Sequence, residues 1–314
     1  MTGSTSPADP GLLCLAGPTA SGKSAVALCL AEQVGGEIVS VDSMQVYRGL
    51  NLGTAKPTAA ERARVPHHLL DVVDVREWFD AARWCALARA AVRDIQQRGR
   101  RPILCGGTGL YFRALLEGLG KAPPADPALR AELAATPLEN LLQELAVNDP
   151  ATYARMDRQN LRRVIRALEV QRLTGRPFSE QQARWRTAPV NPAPMFALDR
   201  ASEDLHARIE MRVDRMFADG LVEETRVMLA DGLGENPTAQ QAIGYRQIIE
   251  HLRGDRGLAE TITLVKARTR QFARRQRTWL RHQSPARWLV VGVEEAPEVT
   301  ADRLLAALGS PRSG

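Results

Sequence analysis

Eight residues, Gly17-Pro18-Thr19-Ala20-Ser21-Gly22-Lys23-Ser24, carry the clearest chemistry in the chain. The pattern G-x-x-x-x-G-K-[ST] binds phosphate. Its glycines let consecutive backbone N–H groups close around the anion, the lysine adds positive charge, and the last hydroxyl can ligate Mg²⁺. Lys23 and Ser24 are therefore candidate ligands, Ser24 for the metal. A second candidate is Asp42, where an apolar run ends in Asp42-Ser43-Met44-Gln45-Val46-Tyr47-Arg48. A carboxylate after a strand is usually a helix cap or turn residue. With the phosphate loop expected as its neighbour in the sheet, Asp42 is read as facing a ligand. Gly106-Gly107-Thr108-Gly109 is a second Gly-rich turn, weak alone, from which the Thr108 hydroxyl could reach the same ligand. Arg208 and Arg212 share a helix face; the alternative for both is pairing with Glu203 or Glu210, or solvation. His67 and His68 are adjacent, a poor metal spacing, and are read as structural.

These side chains need strands that end along one edge. Residues 12–16 form an apolar run suited to a buried parallel strand, and 23–34 read as a helix whose N-terminus faces the anion. Gly35-Gly36 stops that helix, 37–41 is a second strand, and 67–74 contains a third. Helical periodicity covers 80–97, a further strand 102–105 runs into Gly106, and another helix ends near Gly118. The alternation predicts an α/β fold, a P-loop-containing parallel sheet flanked by helices. From Lys121 the character changes: 122–127 is linker-like, and the chain from there to Arg186 is helical and rich in arginine. The expected organisation is a disordered tail (1–10), an α/β core (11–120 and 187–314) and an inserted all-helical subdomain (121–186). Strand returns at 195–198. Ser202 is expected to cap a helix that runs to about Asp219, and 288–291 and 300–308 close the chain as strand and helix.

A net charge of +6 and a pI near 9.5 permit a polyanionic partner. Lysine occurs only four times among the 42 basic residues, a bias that a GC-rich genome would also produce, so distribution matters more than the total. Residues 266–281 (KARTRQFARRQRTWLR) hold seven basic side chains and no acid. Val265, Thr269, Phe272, Gln276 and Trp279 fall at helical spacing for inward packing. Arg270, Arg274, Arg277 and Arg281 would line an adjacent face about 16 Å long, a track for phosphodiesters. The alternative is a solvated cationic face, which mutual repulsion of the charges disfavours. No apolar run approaches the roughly 20 residues of a membrane span, and the first ten residues lack a secretory pattern. Cys14, Cys29, Cys85 and Cys105 are widely spaced without a C-x-x-C pair. They are read as buried free thiols in a reducing cytoplasm.

Taken in order, the phosphate loop, 42–49 (DSMQVYRG), 53–57 (GTAKP), 106–111 (GGTGLY), 166–170 (RALEV), 243–246 (IGYR) and 275–281 (RQRTWLR) resemble the signatures of one family. That family is the tRNA dimethylallyltransferases (tRNA isopentenyltransferases), and the likeness spans nearly the whole chain. It implies transfer of a dimethylallyl group from dimethylallyl diphosphate to N6 of the adenosine 3′ to the anticodon. The tRNAs are those reading codons that begin with U. The resemblance further implies Mg²⁺ as cofactor, a monomer, a loop that holds the donor's diphosphate, and an insertion that grips the anticodon stem-loop. Asp42 would be the general base and Thr108 a positioning group. Lys23 and Arg212, with Arg208 as second choice, would face the leaving diphosphate.

Contacts to tRNA are implied at Asp42, Ser43, Met44, Gln45 and Thr108, at Arg130, and at Arg162, Arg163, Val164, Ile165 and Arg166. Further contacts are implied at Gln241, Ala242, Ile243, Gly244, Tyr245 and Arg246. The last group is Arg274, Arg275, Gln276, Arg277, Thr278, Trp279, Leu280 and Arg281. Ser24 stands where many members have Thr, and the zinc-finger extension of eukaryotic relatives is lacking, so a bacterial type is expected. The rival activities are prenylation of free adenine nucleotides and small-metabolite phosphorylation; a non-catalytic RNA binder is the rival outside enzymes.

Overall fold

The computed structural model describes residues 11–120, 122–181 and 193–309. The expected tail at 1–10 and the stretch 182–186 lie outside them. Contacts divide the chain into two compact units, one of residues up to Leu116 and from Ala188 onward, the other Glu117–Thr187. The corresponding expectation from sequence was 121–186.

In chain order the first unit begins with β1 (Leu13–Ala16), α1 (Lys23–Val34), β2 (Gly36–Val41), α2 (Ala59–Arg64) and β3 (His67–His68). It continues with α3 (Ala81–Gln97), β4 (Arg101–Gly106) and α4 (Gly109–Glu117). The second unit holds α5 (Pro127–Ala135), α6 (Leu138–Asn148), α7 (Pro150–Arg155), α8 (Leu161–Thr174) and α9 (Phe178–Gln181). The first unit resumes with β5 (Met195–Asp199), α10 (Ser202–Ala218), α11 (Leu221–Ala230), α12 (Tyr245–Leu252) and α13 (Leu258–Gln283). It closes with β6 (Arg287–Val290) and α14 (Pro297–Gly309).

Six parallel strands form one sheet in the order β3-β2-β4-β1-β5-β6. Every residue of β1 and β2 is buried, as the continuous apolar runs of a covered parallel sheet require. Leu13, Leu15, Ile103, Phe196 and Leu198 pack with Val26, Leu30 and Leu304 of α1 and α14 into one core. Each such fully buried side chain stabilises by about 1.5–3 kcal/mol. The insertion has its own core, in which Leu133, Leu141, Leu145, Val164 and Leu168 meet.

Three local expectations are corrected. Asp42 does not neighbour the phosphate loop in the sheet: β4 pairs with both β1 and β2, so the turn carrying Thr108 lies between them. The third strand shrinks to His67–His68, because left-handed backbone at Leu69 and Asp71 (φ 64° and 56°) ends the extension; Val73 only bridges Tyr47. Ser202 does not cap α10. The cap position is Ala201, and the Ser202 hydroxyl instead accepts from Arg277 at 3.3 Å.

Candidate active site

Four strand ends converge at the carboxyl edge of the sheet, where open α/β folds bind ligands. The phosphate loop follows β1, Asp42 follows β2, Thr108 follows β4, and Asp199 and Arg200 end β5. Beside them opens a cavity of about 210 Å³, lined by Thr19, Lys23, Ser24, Asp42, Thr108 and Arg212 among others. Val213, Met216, Ile243, Val265 and Phe272, from α10, α13 and the segment before α12, give it an apolar wall.

The loop is shaped before any ligand arrives. Gly22 caps α1 with φ 90°, a conformation that suits glycine, so the helix opens with free N–H groups toward the anion site. Lys23 Nζ donates to Pro18 O at 3.2 Å. Behind the loop, Arg200 is buried: its Nε donates to Ser21 O at 2.9 Å and its Nη1 to Asp204 and Gly292 O, both at 2.8 Å. Arg200 thus fixes the Ser21 carbonyl of the loop. It escaped sequence reasoning; its one signal is its place directly after a strand. The Ser21 hydroxyl is fully buried and has no partner among the described residues.

Asp42 both closes a turn and lines the cavity. Its Oδ1 accepts from the N–H of Met44 (2.7 Å) and Gln45 (3.2 Å), which fixes the carboxylate, while Oδ2 keeps no protein partner at the cavity among the described residues. The Thr108 N–H donates to Val41 O at 3.2 Å, tying its turn to β2. Thr108 also lines the cavity. Burial pushes the Lys23 ammonium below its ordinary range; nearby Cys105 and Asp42 oppose that shift and Arg212 adds to it. Burial also lowers Arg212, again against Asp42. Cys105 shares the wall, its thiol pushed up to about 11 by burial.

Arg208 and Arg212 part company here. Arg212 enters the cavity and forms no salt bridge among the described residues. Arg208 pairs with Asp204 at 2.9 Å and donates to Val293 O at 2.8 Å, so its guanidinium is engaged away from the cavity lining. Neither takes the partner the sequence suggested, since Glu210 pairs with Lys266 and Arg270.

A metal would need a small donor set. Among the described residues no cluster of three or more His, Cys, Asp or Glu could hold one. Mg²⁺ keeps several waters and takes one or two protein oxygens beside substrate phosphates. The exposed Ser24 hydroxyl at the cavity fits that demand.

The implied RNA contacts divide by burial. Val164, Ile165, Tyr245, Leu280 and Gln276 are buried, and of these Gln276 also lines the cavity. Tyr245 donates its hydroxyl proton to Glu224 (2.5 Å) and accepts from Gly53 N–H (3.1 Å), anchoring the cavity loop. Gln45 is spent on the same wall, through Ser40 and the carbonyls of Thr54 and Ala55. Arg130 and Arg166 hold the buried Glu169. Arg246 pairs with Glu250 at 3.2 Å. On α13 the expected open track is largely closed. Arg277 and Arg281 share Asp199 (3.0 and 2.9 Å), and Arg270 pairs with Glu210. Trp279 is half-buried against Gly109. Arg162, Arg163, Arg274, Arg275 and Thr278 stay at least partly exposed, while Ser43, Met44, Gln241, Ala242, Ile243 and Gly244 line the cavity.

A protein-family model described as IPP transferase matches residues 45–283. The chain belongs to that family. Over 88% of its length it is 47% identical to tRNA dimethylallyltransferase 1 of Citrifermentans bemidjiense, covering 91% of that protein. A solved tRNA isopentenylpyrophosphate transferase from Bacillus halodurans is 36% identical with TM-score 0.69, the match covering 95% of this chain and 97% of that one. A eukaryotic dimethylallyltransferase solved acting on tRNA is 26% identical with TM-score 0.77, covering 96% and 81% of the two chains. Family membership bears on the cavity directly, since eleven of its twenty-four lining residues come from the matched region beyond residue 200.

Proposed function

We propose that this chain transfers a dimethylallyl group from dimethylallyl diphosphate to N6 of the adenosine 3′ to the anticodon. The tRNAs would be those that read codons beginning with U, and the products N6-(dimethylallyl)adenosine and diphosphate. The observation that carries the reading is the composition of one cavity. An anion-binding loop with Lys23, Ser24 and Arg212 shares it with a fixed carboxylate, Asp42, and with an apolar wall of Val213, Met216, Ile243 and Phe272. An allylic diphosphate has one charged end and one apolar end, and needs both surfaces.

In the transfer, the N6–C1 bond forms, the C1–O bond to diphosphate breaks, and one proton leaves N6. The lone pair of N6 is delocalised into the ring, so a positioned base helps; Asp42 Oδ2 takes that proton. Thr108 orients the amine or the diphosphate through its hydroxyl. Charge growing on the leaving group is met by the loop amides, Lys23 and Arg212, which need no reorganisation as the bond breaks. Mg²⁺, held through Ser24 and the diphosphate, would supply further charge neutralisation. The target base must leave its stack to enter the cavity. The same reading carries a monomeric, cytoplasmic enzyme.

The deciding experiment incubates purified protein with Mg²⁺, dimethylallyl diphosphate and unmodified tRNA, with AMP and ATP in parallel, and weighs the nucleosides after digestion. Prenylated adenosine from tRNA alone is expected. Prenylated AMP or ATP would move the enzyme to free nucleotides, and γ-phosphate release without transfer would make it a kinase.

A further inference from the structure

The phosphate loop and the Thr108 turn are joined by a side chain from neither. Gln276, buried on α13, accepts from the Thr19 N–H through Oε1 at 2.8 Å and donates from Nε2 to Gly107 O at 3.0 Å. The two partners lie 257 and 169 residues away in sequence. A carboxamide accepts on one side and donates on the other in this way, which an ionised glutamate, having no donor, and a lysine, having no acceptor, could not do. The Thr19 amide is thus taken by the protein itself and is not among the donors left for an anion.

Gly107 shows how tight the joint is. Its backbone is not left-handed, so no torsion demands glycine there, yet a Cβ would stand 2.1 Å from Gln276 Nε2. Its other near neighbour, Gly17 O, is 3.3 Å away, so the bar to a side chain is Gln276.

We propose that Gln276 is a positioning residue that sets the spacing between the diphosphate-holding loop and the turn bearing Thr108, and that Gly107 is glycine to admit it. The proposal deepens the transferase reading and rests on it for what the two turns hold. Gln276 also lines the cavity, and the role proposed for it runs through the loop and the turn.

Two variants test it. Gln276→Met keeps the volume and removes both hydrogen bonds. Gly107→Ala leaves α13 unchanged and displaces the carboxamide with one methyl group. Either should weaken binding of inorganic diphosphate with Mg²⁺, measured by calorimetry, and raise the donor KM by about tenfold or more, since misplacement near 1 Å can cost about 100-fold. tRNA affinity by filter binding should be unchanged. The Gly107→Ala penalty should shrink in a Gln276→Ala background, where the methyl finds vacated space. Unchanged diphosphate affinity and donor KM would overturn the proposal, as would losses that merely track melting temperature and add independently. If the unaltered chain transfers nothing, the transferase reading fails, while the diphosphate titration still decides the role of Gln276.

Discussion

In the helical insertion, the fully buried Glu169 receives Arg130 at 2.7 Å, Arg166 at 2.5 Å and the Asp126 N–H at 2.8 Å. At the cavity of the α/β unit, Lys23 and Arg212 are half-buried, and no carboxylate sits within salt-bridge distance of either among the described residues. The opposing Asp42 has one oxygen held by backbone and one left open. A buried charge is expensive to leave unmatched. Where the protein matches it completely, the cluster holds structure. Where it leaves part of the match to an incoming group, the cluster selects and activates a ligand. The arginines of the insertion and those of the cavity look alike in sequence and differ in this respect.

The largest effect should come from the open carboxylate. Asp42→Asn retains an Oδ1 acceptor for Met44 and Gln45 and so keeps the turn. It loses the base, and turnover should fall by about 10²–10⁴-fold with tRNA affinity intact. Undiminished turnover in single-turnover assays would reduce Asp42 to its turn. Next is the arginine pair on α10. Arg212→Gln should cost about 100-fold in kcat by removing a preorganised donor. Arg208→Gln should leave kcat nearly unchanged, because that guanidinium already serves Asp204. Equal losses from the two would abolish the distinction between an open and a closed cation.

How much of this was legible depends on how local its cause is. β1, the loop and α1 could be read because apolar run, glycines and helix succeed one another in an unbroken stretch of chain, residues 13–34. Asp42 could be placed at a strand end, but not beside its true neighbour. That β4 inserts between β1 and β2 is a consequence of crossover topology, which no short pattern records. Spacing put Arg208 and Arg212 on one face and could not say which reached the cavity, since Asp204 captures one of them. The charge run on α13 held no acid of its own. Its partners, Asp199, Glu210 and Asp214, come from β5 and α10, and so the expected repulsion is relieved from outside the helix. Arg200 and the two hydrogen bonds of Gln276 were invisible for the same reason.

The closed cluster should respond in stability rather than rate. Glu169→Gln removes the charge that two arginines face, and breaking a buried pair costs about 3 kcal/mol. Thermal unfolding should show the loss while diphosphate affinity at the cavity persists. Acid should do the same reversibly. Burial alone would raise the Glu169 carboxyl, but hydrogen bonds from Arg130 and Arg166 outweigh it and hold the group below its ordinary value of 4.5. A depressed folded-state pKa gives stability that is fully present above the unfolded value and lost as pH falls through the folded one. Unfolding midpoints should therefore drop below about pH 4.5, and Glu169→Gln should flatten that drop. An identical acid limb in the variant would mean that other carboxylates control it.

The smallest effect concerns the exposed cations of α13, and it tests whether the comparison extends to RNA. Arg274 and Arg275 are at least partly exposed, the latter over the Phe272 ring at 5.8 Å, and no acid pairs with either among the described residues. Arg277 and Arg281 are committed to Asp199. Removing one cation that meets a phosphate should lower the slope of log affinity against log salt by about 0.7–0.9. Replacing Arg274 and Arg275 by Ala should thus reduce the slope for tRNA by roughly 1.5 and raise the tRNA KM a few-fold, without changing melting temperature. Replacing Arg277 and Arg281 should do the reverse, leaving Asp199 unmatched and the protein less stable while the slope holds. If the second pair moves the slope and the first does not, then Asp199 releases its arginines when RNA binds, and the closed state seen on α13 is only the resting one.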